Sequence, residues 1–239
     1  MTKWWRHAVI ALILVGTFVV MFARAPFAQD QAYHDFADKR ALFGIPNFGD
    51  VAPNIAFLFA GLAGLAVCFR LDLGRERSAW IIAFAGIVLV SVGSSYYHLS
   101  PNDATLFWDR APMTVGFMGV LVAVLGEYVS ERFNAMLWPA VIVGLASVVY
   151  WRLFEDLRFY YWIQLGPMVA LLFILLLFRP RYSNRWLLVA GLIWYGVAKL
   201  AELGDKVVFA ATQNFVSGHT LKHLFAGLGC YFMCLALKK

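Results

Sequence analysis

The stretch Ala79–His98, AWIIAFAGIVLVSVGSSYYH, decides the fold. It carries no acid or base before the closing histidine. A helix of about 20 residues rises about 30 Å, the thickness of the hydrocarbon core of a bilayer. Apolar and polar residues do not alternate along it with period two, so a membrane β-strand is excluded. Seven further segments read as the same kind of helix, two of them short: Ala8–Phe22, Ala52–Phe69, Ala111–Val129, Ala135–Tyr150, Tyr161–Phe178, Trp186–Gly204 and Gly218–Leu237.

Composition agrees. Of 239 residues, 62% are hydrophobic and 14% charged, with a mean hydropathy of +0.71. A soluble domain of this length cannot hide that much apolar surface. The net charge of +6 is small for a nucleic-acid binder and is explained by loop arginines that set membrane orientation. Cys68, Cys230 and Cys234 sit inside apolar runs and read as small core residues, not as a disulfide framework. No linker, repeat or low-complexity tract divides the chain. The expectation is an all-α polytopic membrane helix bundle. Residues 52–239 form a seven-helix catalytic core, 24–51 an extracytoplasmic loop and 1–23 an extra N-terminal helix or signal anchor. Lys3 and Arg6 before that helix and Ala23-Arg24-Ala25 after it resemble a secretory signal, but Pro26 disfavours a cut at Ala25, so the anchor is preferred.

Eight spans place Lys3, Arg6, Arg70, Arg75, Arg77, Arg132, Arg179, Arg181, Arg185, Lys238 and Lys239 on the N-terminal side. The other side has Arg24, Lys39, Arg40, Arg110, Arg152, Arg158 and Lys206, and also collects Asp30, Asp35, Asp38, Asp50, Asp103, Asp109, Glu155, Asp156 and Asp205. The positive-inside rule puts both termini in the cytoplasm.

Three of the five histidines then fall at one depth. His98 closes the third span, and His219 and His223 open the eighth, one helical turn apart on one face. Asp109 opens the fourth span on the same side, and Ser94 precedes His98 by one turn. Three histidines with an open fourth position are the usual catalytic zinc set. A carboxylate such as Asp109 could take a proton from water, and a serine hydroxyl could steady a developing oxyanion. Ionisable residues in membrane helices are rare and point to function. The blander readings are that His7 and His34 are interfacial caps or snorkelling residues, that Ser94 serves helix packing, and that Lys199, Glu202, Asp205 and Lys206 neutralise one another. Trp108, Trp194 and Tyr195 could line a lipid pocket or simply anchor and pack. In the loop before the second span, Asp35, Asp38, Asn47 and Asp50 supply oxygen donors that could hold calcium, though without EF-hand spacing.

Ser94-x3-His98, Asp109-x2-Pro112-Met113 and His219-x3-His223, with Asn47-x2-Asp50-x3-Asn54 ahead of them, resemble the pattern of the alkaline ceramidase family. That family belongs to a superfamily of seven-helix membrane proteins that includes the adiponectin-receptor-like group. The resemblance runs from about Tyr33 to the C-terminus. It implies hydrolysis of the amide of ceramide or a related N-acyl lipid, zinc at His98, His219 and His223, Asp109 as base and Ser94 polarising the carbonyl. Family members also use calcium held by acidic residues near the N-terminus. Here Asp35, Asp38 and Asp50 stand for only part of that set, since Asn47 replaces the strong carboxylate. The extra N-terminal helix suits a bacterial inner-membrane relative with its site towards the periplasm. Two other classes stay open at this stage: a zinc-containing receptor or sensor on the same scaffold, and a b-type haem protein with axial histidines. Acyl length, head group and oligomeric state are not readable from the residues.

Overall fold

The computed structural model describes residues 4–238. Lys3 and Lys239, counted above for orientation, lie outside the described residues. The helices in chain order are α1 (Trp4–Phe22), α2 (Phe48–Val51), α3 (Ile55–Arg70), α4 (Arg77–Leu99), α5 (Asp103–Tyr128), α6 (Leu137–Phe154), α7 (Arg158–Leu177), α8 (Arg185–Leu203), α9 (Asp205–Ala211) and α10 (Gly218–Ala236). A 3-10 turn at Ala52–Asn54 joins α2 to α3. Among the described residues there is no strand, only an isolated bridge between Leu42 and Ile45.

Seven of these elements are long and apolar enough to cross a membrane. The last expected span, α10, is also 19 residues long. Its two imidazoles and Lys222 lower its hydropathy, and it packs against α8 and α3 within the bundle. Large apolar side chains such as Phe59, Phe69, Val92, Ile142, Leu153 and Ile193 face outward. Water would penalise that surface and lipid does not. The chain is a multi-pass α-helical membrane protein.

The core centres on α5, whose residues Met118–Tyr128 are all buried. By contrast, α1 buries only Ile10 and leans chiefly on α7, where Trp162 Nε1 donates to Leu14 O at 3.1 Å. The fourth span starts earlier than its apolar run. It begins at Asp103, not Ala111, because Asn102 forms a capping box with Thr105 and satisfies the first amides. Asp109 therefore lies within the second turn of α5 instead of opening it.

The contact that sets α4 against α5 depends on glycine. Pro112 has no N–H to give the carbonyl four residues before it. That carbonyl belongs to Trp108, and Gly93 of α4 packs directly against it: a Cβ at Gly93 would sit 2.0 Å from Trp108 O. Gly86 likewise approaches the backbone of Gly116, and Gly119 that of Ala83. Such close approach brings Ser94 and His98 on α4 alongside Asp109 on α5. We expect Gly93→Ala to lower stability by about 1–3 kcal/mol through overpacking. Gly196→Ala, with nothing within 4 Å, should leave thermal stability in detergent unchanged or slightly raised.

Candidate metal centre

The three expected imidazoles meet. His98 ends α4, while His219 and His223 lie in the first two turns of α10, and they are 0%, 2% and 1% exposed. His98 Nε2 lies 3.2 Å from Nε2 of His219 and 3.2 Å from Nε2 of His223. Among the described residues this is the one group of three or more His, Cys, Asp or Glu side chains that could hold a metal ion.

Hydrogen bonding cannot satisfy this arrangement. An imidazole nitrogen offers either one N–H or one in-plane lone pair, so His98 Nε2 can serve only one of its two neighbours. A single ion facing three lone pairs removes the conflict. Nitrogens on one tetrahedral zinc, at about 2.0–2.1 Å from it, lie about 3.3–3.4 Å apart, close to the two spacings from His98, and all three ligand atoms lie within 4.8 Å of one another. Nδ1 of His98 and of His223 has no hydrogen-bond partner, so the second shell that usually fixes a ligating histidine is missing there. Packing does part of that work: the Phe36 ring lies 4.3 Å from the His219 ring and 4.8 Å from the His98 ring, and Phe57 stands edge-on to His223.

The backbone around the triad is fixed by local chemistry. Ser217 caps α10, its Oγ accepting from Thr220 N at 2.9 Å. Asp205 accepts from His219 N at 2.8 Å and from Ala37 N at 2.8 Å, joining the start of α10 to the extramembrane loop. Gly218 must be glycine, since a Cβ there would lie 2.2 Å from Ala201 O. Asn47 donates its amide to His98 O at 2.8 Å, so it braces the triad.

Ser94 is 1% and Asp109 5% exposed. Both line, with His223, a cavity of about 140 Å³ that runs between α4, α5, α7, α8 and α10. Its remaining wall is mostly aliphatic, as at Val90, Val120, Leu171, Leu188 and Met233. Of the aromatic trio, Tyr195 lines the cavity, Trp108 faces outward and Trp194 packs on Phe225.

Four residues gain parts that the sequence reading had not assigned. Lys222 lines the cavity, with Nζ 3.3 Å from His219 Nε2 and 3.2 Å from Glu202 Oε1. Glu202 also accepts from Lys199 at 2.7 Å and from the Tyr33 hydroxyl at 3.3 Å. The expected neutralisation thus holds for Lys199 and Glu202, while Lys206 turns to Asp35 and Asp205 caps backbone amides. Phe36 covers the triad. His34 is no snorkelling residue: it bridges the Tyr97 hydroxyl at 2.8 Å and Asp103 at 3.0 Å. His7 stays exposed at the opposite end of the bundle, edge-on to Phe178.

The expected calcium ligands do not come together. Asp35 is exposed and paired with Lys39 at 2.5 Å and Lys206 at 2.6 Å. Asp38 is buried on a two-pronged contact with Arg40, at 2.8 and 2.6 Å. Asp50 is buried beside Ser217 at 3.4 Å, with its second oxygen unpartnered. Two of the three carboxylates thus already hold cationic side chains. All three cysteines are free thiols, two of them buried.

The Lys206 and Lys39 hydrogen bonds hold the Asp35 carboxyl down to about 2. A carboxylate depressed from an unfolded value of about 3.9 contributes fully above that value and loses its contribution as pH falls through its folded pKa. Amide protection factors across residues 33–39 should therefore stay flat above about pH 5 and fall between about pH 4 and 2. A fall near neutrality would assign the loop's attachment to a different group. No protein-family model matches the chain, and no curated protein matches it significantly.

Proposed function

We propose that the chain is a zinc-dependent intramembrane hydrolase that cleaves the amide of an N-acyl lipid, ceramide or a related molecule, into fatty acid and amine. One observation carries this reading: an apolar cavity inside the bundle is lined by Ser94, Asp109 and His223, a member of the histidine triad. An acyl chain fits the aliphatic wall, and its polar end then meets Ser94, Asp109 and His223.

The donor set suits zinc, with three neutral nitrogens, no thiolate and a converging geometry. Zinc held by His98, His219 and His223 would supply Lewis acidity that polarises a carbonyl and makes water more acidic. Asp109, shielded from solvent, takes the proton of the attacking water and returns it to the amine nitrogen as the C–N bond breaks. Ser94 offers its hydroxyl to the substrate carbonyl oxygen as negative charge develops there. Lys222 holds a cation beside the same point and offers donors to the carboxylate product. Phe36, above the triad, keeps bulk water away. The arginine and lysine asymmetry favours the triad on the side away from the cytoplasm, and the extra N-terminal helix suits a bacterial inner membrane with that side periplasmic. Calcium is not carried into this reading, because Asp35 and Asp38 are already engaged by lysine and arginine.

Purified protein in mixed micelles is expected to release fatty acid from at least one N-acyl sphingoid or N-acyl amine. Asp109→Asn should lower that rate by about 10²–10⁴-fold and Ser94→Ala by about 10²–10³-fold, with zinc content unchanged. Zinc-loaded protein that hydrolyses none of these amides contradicts the proposal.

A further inference from the structure

At the end of the bundle far from the triad, three arginines from three elements line one pocket. Arg6 comes from the first turn of α1, Arg179 from the segment after α7 and Arg185 from the first turn of α8, with Leu176, Leu177 and Phe178 completing the wall. No carboxylate lines it. Three other arginines on this face are neutralised, Arg75 and Arg181 by Glu131, Arg77 by Asp72, and Arg181 also by Glu76. Among the described residues, none of Arg6, Arg179 and Arg185 has an ion pair. Arg6 Nε is buried without any hydrogen-bond partner, and Arg185 reaches only the carbonyl of Leu175, at 3.4 Å. Three like charges around one pocket repel, and a buried guanidinium nitrogen without a partner is costly. An anion in the pocket relieves both.

The surroundings identify the anion's source. Arg6 lies 5.5 Å from the Trp5 ring and 5.9 Å from Phe178, and Arg185 lies 5.8 Å from Trp186. Trp4, Trp5 and Trp186 are exposed beside it, as tryptophans are at the level of lipid headgroups. Below the pocket Phe173 and Leu176 face outward and offer an apolar path for acyl chains. Arginine forks match phosphate oxygens, and basic pockets between membrane helices bind anionic headgroups. We propose that Arg6, Arg179 and Arg185 bind the phosphate of an anionic phospholipid, which clamps α1 to α7 and α8. That clamp matters because α1 buries little else. This inference is independent of the hydrolase reading.

The test uses full-length protein stripped of lipid in detergent, then given phosphatidylglycerol, phosphatidylcholine or inorganic phosphate. Native mass spectrometry counts retained lipid, and thermal unfolding reports stabilisation. Phosphatidylglycerol should be retained and raise the unfolding temperature, with no such effect from phosphatidylcholine. Arg6→Gln/Arg185→Gln should weaken its retention at least about tenfold. Arg179→Gln, at an exposed position, should weaken it in part while leaving the fold intact if the double variant does not fold. Equal retention of phosphatidylcholine, equal stabilisation by inorganic phosphate, or unchanged retention in a folded variant overturns the proposal.

Discussion

Three imidazole nitrogens face one point inside a bundle built for lipid, and no distribution of protons satisfies all of them. That constraint governs the rest of the molecule. His98 is delivered by α4, whose position depends on the contact between Gly93 and the Trp108 carbonyl that Pro112 leaves free. His219 and His223 are delivered by α10, whose first turn is held by Ser217, Asp205 and the close approach permitted by Gly218. If either helix shifts by about one ångström, the nitrogens no longer converge within the reach of one ion.

The extramembrane loop and the membrane interior contribute from opposite sides. From the loop, Phe36 covers two of the imidazoles while Asn47, Tyr33 and His34 tie the cover to α4, α5 and α8. From within, the aliphatic cavity leads to Ser94 and Asp109. The Lys199–Glu202–Lys222 network places two cations on one carboxylate where these two regions meet. In such a low-dielectric setting each fixed charge acts more strongly on a neighbouring polar group than it would in water.

Much of this was legible in the residues because lipid imposes simple rules. Uninterrupted apolar runs announce spans, and a four-residue histidine spacing announces one helical face. The depth shared by His98, Asp109 and the α10 pair followed from counting spans. The boundaries were less legible: α5 starts at Asp103 because a capping box, not hydropathy, sets its end. The fates of the loop carboxylates were also hidden, since the pairing of Asp38 with Arg40 and of Asp35 with Lys206 depends on how the loop folds back. Phe36 gave no signal, being one aromatic in a polar segment. Lys222 did give one, as a cation between two candidate ligands on the same helix.

The proposed chemistry turns on whether the triad holds a metal ion. Elemental mass spectrometry of detergent-purified protein beside His219→Ala tests it most directly. About one zinc per wild-type chain and none in the variant are expected, both proteins eluting folded. Metal-free wild type after purification with zinc present, or equal zinc in the two proteins, would contradict it.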